Sequence, residues 1–170
     1  LCARQGRSAR LAPLSGLKVL QVMAGAAHGG AEAFFTRLVT ALARAGLDQR
    51  VALRPHAARI AALEAAGLAP VALAFGGPVD LLSRVRLLAL IRRYRPQIVL
   101  TWMSRATGAM PPRRFLPAGT LHLARLGGYY QLKYYQRCDH LIANTRDIAD
   151  YLVRGGWPEG RVHYLPNFVA

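Results

Sequence analysis

The stretch Ala24–Leu38, AGAAHGGAEAFFTRL, decides how the chain is organised. It joins Lys18–Gly25, a short apolar run typical of a buried strand, to Ala31–Ala45, whose apolar residues recur with helical spacing. The turn His28–Gly30 lies between them and contains two adjacent glycines. Glycines leave backbone N–H groups uncovered at the start of a helix, which suits an anion or a sugar against the main chain and equally suits a plain tight turn. The stretch therefore predicts a strand, a candidate binding loop and a helix.

Strand-like and helix-like segments keep alternating along the rest of the chain. Further strands are predicted at Asp48–Arg54, Pro70–Phe75, Gln97–Met103, Thr120–Leu126, His140–Ala143 and Val162–Leu165. Further helices are predicted at Ala57–Ala66, Asp80–Tyr94, Gln131–Arg137 and Asp147–Arg154. Such alternation is typical of βαβ units, so the predicted fold class is α/β, a three-layer α/β/α Rossmann-like domain with a mostly parallel sheet.

Two segments carry more specific expectations. In the helix Asp80–Tyr94, Leu81, Val85 and Leu88 recur at i, i+4 and i+7, which is helical spacing, and Arg86 and Arg93 share another face. Ser104–Pro117 contains three prolines, so we expect an irregular segment with at most a short helix at its start.

Composition limits the domain organisation and the class of protein. Residues 1–16 form a polar, basic lead-in that we expect to be flexible, and residues 17–170 form one domain. A hydrophobic content of 53% excludes a disordered chain. No apolar run approaches the ~18 residues of a membrane span. Cys2 and Cys138 give neither a disulfide framework nor the spacing of a metal site, so we expect no metal and a cytoplasmic location.

The charge of the chain favours anionic partners. The formal net charge is +15, the chain has only 8 acidic residues, and all but two of its 23 basic residues are arginine. Phosphates, nucleic acid and an acidic membrane face are the partners that such a balance attracts. The alternative is that arginine is simply the basic residue preferred on solvated faces.

Topology predicts where a ligand binds. In a parallel sheet, ligands lie beyond the carboxyl ends of the strands. The loops at those ends are His28–Gly30, Arg54–His56, Gly76–Pro78, Ser104–Arg105, Gly127–Tyr130 and Asn144–Arg146.

Two long segments resemble a known family. LKVLQVMAGAAHGGAEAFFTRLVTALARAG, residues 17–46, resembles the opening of family 4 glycosyltransferases of the GT-B fold, and DHLIANTRDIADYLVRGGWPEGRVHYLPNFV, residues 139–169, resembles the end of their amino-terminal domain. The resemblance implies a retaining, two-domain enzyme without an obligatory metal or other cofactor. The amino-terminal domain binds a glycan or lipid-linked acceptor, and a second domain holds most of the nucleotide-sugar donor. The chain is then expected to end at the interdomain linker and to be inactive alone.

The resemblance also implies a role for the glycine turn. In the family, the matching loop approaches the donor diphosphate and the acceptor, which assigns Gly29 and Gly30 to binding. The alternative is a turn that merely needs glycine. His28 is a candidate for a hydrogen bond to sugar or phosphate, or else an exposed loop histidine.

Candidate acceptor-binding residues come from the other strand ends. They are Arg105, Arg125, Gly127, Gly128, Tyr129, Tyr130, Lys133, Asn144 and Thr145. Arginine suits phosphate and tyrosine suits a sugar ring, while the alternative for the tyrosines is packing of a helix on the sheet.

The strand ends also carry alternatives and one departure from the family. Asn144 or Thr145 is expected to cap a helix, Trp102 to lie in the core and Asn167 to serve a structural or hinge role. Many family members have a histidine where this chain has Gly127-Gly128, and His122 lies back within a strand, so the catalytic residues stay unassigned.

Two other classes of protein share some of these sequence features. A dinucleotide-binding domain needs the pattern G-x-G-x-x-G followed by an acid, which this turn lacks, although Arg54 could meet a 2′-phosphate. The charge suits a nucleic-acid-binding module, but no helix-turn-helix, RNA-recognition or zinc signature appears, so no specific nucleic acid is expected. The acidic inner face of a membrane remains a candidate partner for peripheral binding.

Overall fold

A computed structural model of the chain describes residues 16–77 and 79–168. The predicted flexible lead-in lies, but for its last residue, outside the described residues. The strands are β1 Lys18–Met23, β2 Asp48–Leu53, β3 Val71–Ala72, β4 Ile98–Trp102, β5 Leu121–Leu126, β6 His140–Ala143 and β7 Val162–Tyr164. The helices are α1 Gly30–Arg44, α2 Ala57–Glu64, α3 Leu81–Tyr94, α4 Met103–Ala109 and α5 Arg146–Arg154.

The strands form one seven-stranded sheet in the order β3-β2-β1-β4-β5-β6-β7, and every neighbouring pair is parallel. The predicted Rossmann-like domain with a parallel sheet is confirmed. β1 is the third strand in this order, with Val19 opposite Gln49 of β2 on one edge and opposite Ile98 of β4 on the other. The strand order reverses between β1 and β4, so a crevice opens beyond the carboxyl ends of these two strands.

Helices cover both faces of the sheet because side chains alternate along each strand. Phe34 and Phe35 of α1 and Leu63 of α2 pack against one face. On the other face, Leu87 and Ile91 of α3 pack with α4. A third cluster joins α5 to β5 and β6. These clusters fix the strand ends that carry the candidate site.

The apolar residues Leu81, Val85 and Leu88, which recur at helical spacing in α3, are not the residues that this helix buries. The helix buries Ser83, Leu87 and Ile91, while Leu81 is 69% and Val85 54% exposed. The preceding loop sets this rotation, because the Phe75 N–H donates to the Ser83 hydroxyl at 3.1 Å and thereby holds Ser83 inward. The helix consequently presents apolar residues to solvent at its amino-terminal end.

Two segments after β4 differ in their regularity. α4 ends at Ala109, ahead of Pro111 and Pro112, so the expectation of a short helix at the start of Ser104–Pro117 is confirmed. The predicted helix over Gln131–Arg137 is wrong, because only a 3₁₀ turn forms there, at Leu132–Tyr134. The backbone bonds in this region run from each N–H to the carbonyl three residues back, which is the tighter 3₁₀ pattern.

Among the described residues, no helix has the length and apolarity that a membrane crossing needs.

Candidate functional site

The glycine loop after β1 is built around a buried carboxylate. Glu32, in the first turn of α1, folds back under the loop, and its Oε1 accepts a hydrogen bond from the Ala26 N–H at 2.8 Å. A side chain at Gly25 or Gly29 would overlap with the carboxylate oxygens. Neither glycine has a left-handed backbone, so both are required by lack of space and not by the turn itself.

A second charged side chain holds the same loop from α2. Nη2 of Arg59 donates to the carbonyl oxygens of Ala26 at 2.9 Å and Ala27 at 3.2 Å. Burial lowers the pKa of Arg59, and the charge of Glu32 partly opposes that shift. Sequence reasoning missed Arg59, although its position four residues before the buried Leu63 places it on the inner face of α2.

Gly30 differs from the other two loop glycines. No heavy atom lies within 4 Å of the position its Cβ would take, and Gly30 is the first residue of α1. It lines a cavity of about 270 Å³ at the crevice between β1 and β4. We call this space the Arg125 cavity; its lining includes Gly30, Met103, Arg125, Gly127, Asn144 and Asn167.

Arg125, near the end of β5, supplies the charge of the Arg125 cavity. The residue is only 3% exposed, and its guanidinium lies 4.8 Å from the ring centre of Phe34 and 5.4 Å from that of Trp102. It donates to the Leu165 carbonyl at 2.9 Å and to Asn167 Oδ1 at 2.8 Å. Burial lowers the pKa of Arg125 to about 10, so the group stays charged at neutral pH.

The Arg125 cavity has unused hydrogen-bonding capacity. Within the described part of the chain, the buried Nη1 of Arg125 and the buried Oδ1 of Asn144 have no hydrogen-bond partner. A buried donor without a partner is unfavourable, and a positive group beside the amino terminus of a long helix attracts an anion. The cavity can therefore receive a negatively charged group.

A second and larger cavity lies at the same edge of the sheet. It has a volume of about 650 Å³ and lies beyond β2, β3 and β4. Met103 lines the Arg125 cavity, and Ser104, the next residue, lines this one. Its cationic residues are Arg54, Arg84 and Arg105, so we call it the three-arginine cavity.

The candidate residues predicted from sequence fall into separate groups. Gly30, Arg125, Gly127 and Asn144 meet at the Arg125 cavity. Arg105 lines the three-arginine cavity. Gly29 and His28 lie together on the outer side of the loop, where the His28 ring contacts His56 edge-on at 5.3 Å between centroids.

The remaining candidates have structural contacts of their own. The Tyr129 hydroxyl donates to Asp147, and Tyr130 is half-buried beside Gly128 and Tyr135. The ammonium of Lys133 lies 5.2 Å from the ring centre of Tyr134.

The expected capping and core roles are seen for two residues. Thr145 caps α5, since its hydroxyl accepts from the Ile148 N–H at 3.2 Å. Trp102 is buried, as expected, and its Nε1 donates to Gln21 at 3.0 Å. Asn167 was expected to have a structural or hinge role. Its Oδ1 also accepts a hydrogen bond from Arg125, one of the candidate site residues.

His122 lies in a buried polar network and away from both cavities. Its Nε2 is 2.9 Å from the Thr101 hydroxyl, which is itself 2.9 Å from the Thr107 hydroxyl. Asp139 Oδ2 accepts a hydrogen bond from the His122 backbone N–H at 2.8 Å. Burial lowers the pKa of His122 to about 4, so the ring is neutral at physiological pH. Its role is structural, as part of the hydrogen-bonded network in the core.

We expect this buried ring to make the stability of the domain depend on pH. The unfolded ring titrates near 6.5, above its folded value, so protons favour the unfolded state. The contribution of His122 to the free energy of unfolding is fully present above pH 6.5. It falls by about 3 kcal/mol in total as the pH drops towards 4. Urea titrations at a series of pH values measure this slope. His122→Gln should flatten it, and a wild-type stability that is unchanged across this window would contradict the assignment.

Among the described residues, no three His, Cys, Asp or Glu side chains cluster as metal ligands would.

Comparison with known proteins places the chain in a family. Residues 28–170 match the family described as Glycosyltransferase Family 4. The chain is 30% identical over 144 residues to the lipopolysaccharide core biosynthesis glycosyltransferase LpsE of Rhizobium meliloti, covering 84% of this chain and 41% of that protein. Against LpsD of the same organism, identity is 30% over 159 residues, or 89% and 43% of the two chains. The chain therefore spans less than half the length of these relatives.

Solved structures agree on the fold. The Anabaena protein HepE in complex with UDP-glucose superposes with a TM-score of 0.71 at 14% identity, covering 90% of this chain and 44% of that one. The lipopolysaccharide outer core galactosyltransferase WaaB gives a TM-score of 0.65 at 14% identity, with coverage of 91% and 46%. With the family match over most of its length and the parallel seven-stranded sheet, the chain belongs to glycosyltransferase family 4 and has the fold of one half of a GT-B enzyme.

Proposed function

We propose that the chain is the acceptor-side half of a retaining glycosyltransferase that transfers a sugar from a nucleotide sugar to a glycan or lipid-linked acceptor. The observation that carries this proposal is the Arg125 cavity, where a buried guanidinium and the first turn of α1 face one space at the end of the central strands. Two kinds of relative support it: the similar LpsE acts in lipopolysaccharide core biosynthesis, and HepE was solved with UDP-glucose.

In this proposal, the Arg125 cavity receives a phosphate of the donor. Negative charge grows on that phosphate as the sugar leaves it, and a fixed cation in a dry site stabilises such charge strongly. Arg125 is held in place by Leu165 and Asn167, so little reorganisation is needed during the reaction. Glu32 and Arg59 hold the neighbouring loop, which keeps the Gly30 end of α1 open to the ligand.

The test of the proposal is transfer by the complete protein that contains this chain. It is incubated with a panel of nucleotide sugars, UDP-glucose among them, and with truncated lipopolysaccharide core saccharides as acceptors. We expect one donor to be consumed only when an acceptor is present, with the anomeric configuration retained in the product by NMR. Hydrolysis or interconversion of the donor without any glycosylated product would contradict the proposal. The 170-residue chain alone should give no transfer.

We also propose that α3 docks the protein on an acidic membrane face. Val79 is 92% exposed, and Leu81, Leu82 and Val85 follow it on the solvent side of the helix. Exposed arginines lie along the rest of α3 at positions 86, 92 and 93. Apolar residues beside basic ones are typical of surfaces that bind anionic lipid.

A vesicle-binding assay checks this surface. The protein should sediment with vesicles rich in phosphatidylglycerol and less so as salt rises, because ions screen surface charges over about 8–10 Å. Replacing Leu82 and Val85 with serine should weaken the binding severalfold while the melting temperature stays unchanged, since both side chains are exposed. Equal binding to neutral vesicles would contradict docking by charge, and sequence-selective capture of DNA would favour a nucleic-acid-binding module.

A further inference from the structure

The three-arginine cavity gathers positive charge from three different elements. Arg54 follows β2, Arg84 lies in the first turns of α3, and Arg105 lies in α4. Among the described residues that line the cavity, none is an aspartate or glutamate. Three guanidinium groups at one concave surface repel each other unless an anion lies between them.

The carboxylate of Asp80, beside the lining residue Gly76, is already engaged. Asp80 caps α3 by accepting from the Ser83 N–H at 2.9 Å, and its other oxygen accepts from the Gly76 N–H at 2.8 Å. Hydrogen bonds from the side chain and the backbone of Ser83, followed by that from the Gly76 N–H, lower the pKa of Asp80, and the Arg84 charge adds a smaller effect in the same direction. The buried Nε of Arg84 has no hydrogen-bond partner within the described part of the chain. Asp80 therefore shapes the rim and leaves the arginines available to a ligand.

The walls of the cavity also suit a sugar. Tyr134, which is 46% exposed, supplies an aromatic side chain, and Ser104 supplies a hydroxyl. Phe75 has a left-handed backbone with φ of 48°, a strained conformation that the bond to Ser83 helps to hold. A volume of about 650 Å³ is ample for a monosaccharide with one phosphate group.

We propose that the three-arginine cavity binds the phosphate of a phosphorylated saccharide, the acceptor of the transfer. The identification of this saccharide as the acceptor rests on the proposed function. Binding of the phosphorylated saccharide does not, because binding needs no transfer. Arginine side chains match phosphate oxygens in charge and geometry. Because Met103 and Ser104 line the two cavities in turn, a saccharide anchored here by its phosphate extends towards the Arg125 cavity, where the donor phosphate is proposed to lie.

The experiment measures binding in the absence of any nucleotide sugar. The complete protein is titrated calorimetrically with glucose 6-phosphate, with glucose and with inorganic phosphate, at low and high salt. Glucose 6-phosphate should bind more tightly than inorganic phosphate, glucose should not bind, and salt should weaken the binding. Arg84→Gln and Arg105→Gln should each lower the affinity about tenfold or more, because each removes a charge-assisted hydrogen bond. Arg44→Gln, an exposed arginine in the last turn of α1, is the matched control and should bind normally.

Three results of the calorimetric titrations would overturn the proposal. They are equal binding of glucose and glucose 6-phosphate, no binding of glucose 6-phosphate at all, and affinities of the Arg84 and Arg105 variants equal to that of the Arg44 control. Capture by vesicles containing phosphatidic acid without any binding of glucose 6-phosphate would likewise overturn it and reassign the cavity to a lipid headgroup. Far-UV circular dichroism and melting curves show whether each variant is folded. A protein that binds glucose 6-phosphate but transfers no sugar would contradict only the proposed function.

Discussion

Gly30→Val is expected to leave a folded protein whose rate of sugar transfer falls about 100-fold in the complete enzyme. The space around the missing Cβ is open, and Gly30 begins α1 without a left-handed backbone, so the fold tolerates the side chain. The valine would enter the Arg125 cavity and block close approach of a phosphate to the first backbone N–H groups of α1. A single such donor can contribute about 3 kcal/mol to a transition state, which is near 100-fold in rate.

The assay pairs a thermal melting curve with turnover of the nucleotide sugar. Gly160→Val is the matched control, because Gly160 is equally open and lies in an exposed turn before β7. Gly29→Ala gives the opposite pattern: its Cβ would displace Glu32 from the Ala26 N–H and destabilise the domain by about 1–3 kcal/mol. If Gly30→Val folds and turns over normally, then Gly30 only shapes the turn.

The second large effect is expected for Arg125→Met, which should reduce transfer by about 100-fold or more. Methionine fills much of the same volume between Phe34 and Trp102 but carries no charge. The variant loses the hydrogen bonds to Leu165 and Asn167, yet it also removes the unfavourable burial of a cation, and these two effects on stability oppose each other. We therefore expect a melting temperature close to that of the wild type.

Arg114→Met provides the control for loss of an arginine stacked on an aromatic ring. Its guanidinium lies 4.6 Å from the ring centre of Phe115 on an exposed turn, away from both cavities. That variant should transfer sugar normally. Normal turnover by a folded Arg125→Met protein would show that Arg125 only packs the core, whereas weaker binding of the nucleotide sugar with a low rate would agree with a phosphate contact.

The inner strands of the sheet could be predicted from the sequence because β1 and β4 are mostly apolar runs whose pattern is local. Strand β4, Ile98–Trp102, is one such run, and the glycine turn marks the boundary between β1 and α1. The rotation of α3 could not be predicted in the same way. A hydrogen bond from the Phe75 backbone decides it, and the apolar spacing of Leu81 and Val85 carries no information about that bond.

Some of the residues that line the Arg125 cavity could also be predicted, because the ends of the strands can be located from the sequence. The strand-end rule identified Gly30, Arg125, Gly127 and Asn144, which do share one cavity. It could not show that Arg125 is buried, because its aromatic neighbours come from α1 and β4, which are distant in sequence. Arg84 was missed altogether, since it lies on a helix and reaches the sheet edge only through the rotation of α3.

The position of β1 between β2 and β4 has a consequence for how the chain folds during synthesis. One edge of β1 pairs with β2, which follows soon after it, but the other edge pairs with β4, where Met23 lies opposite Trp102. Until the ribosome has released Trp102, a buried apolar strand keeps a free edge that can pair with other nascent chains. Parallel pairing between distant segments is also slow. Between the emergence of β3 and that of β4, this free edge therefore exposes the nascent domain to pairing with other chains.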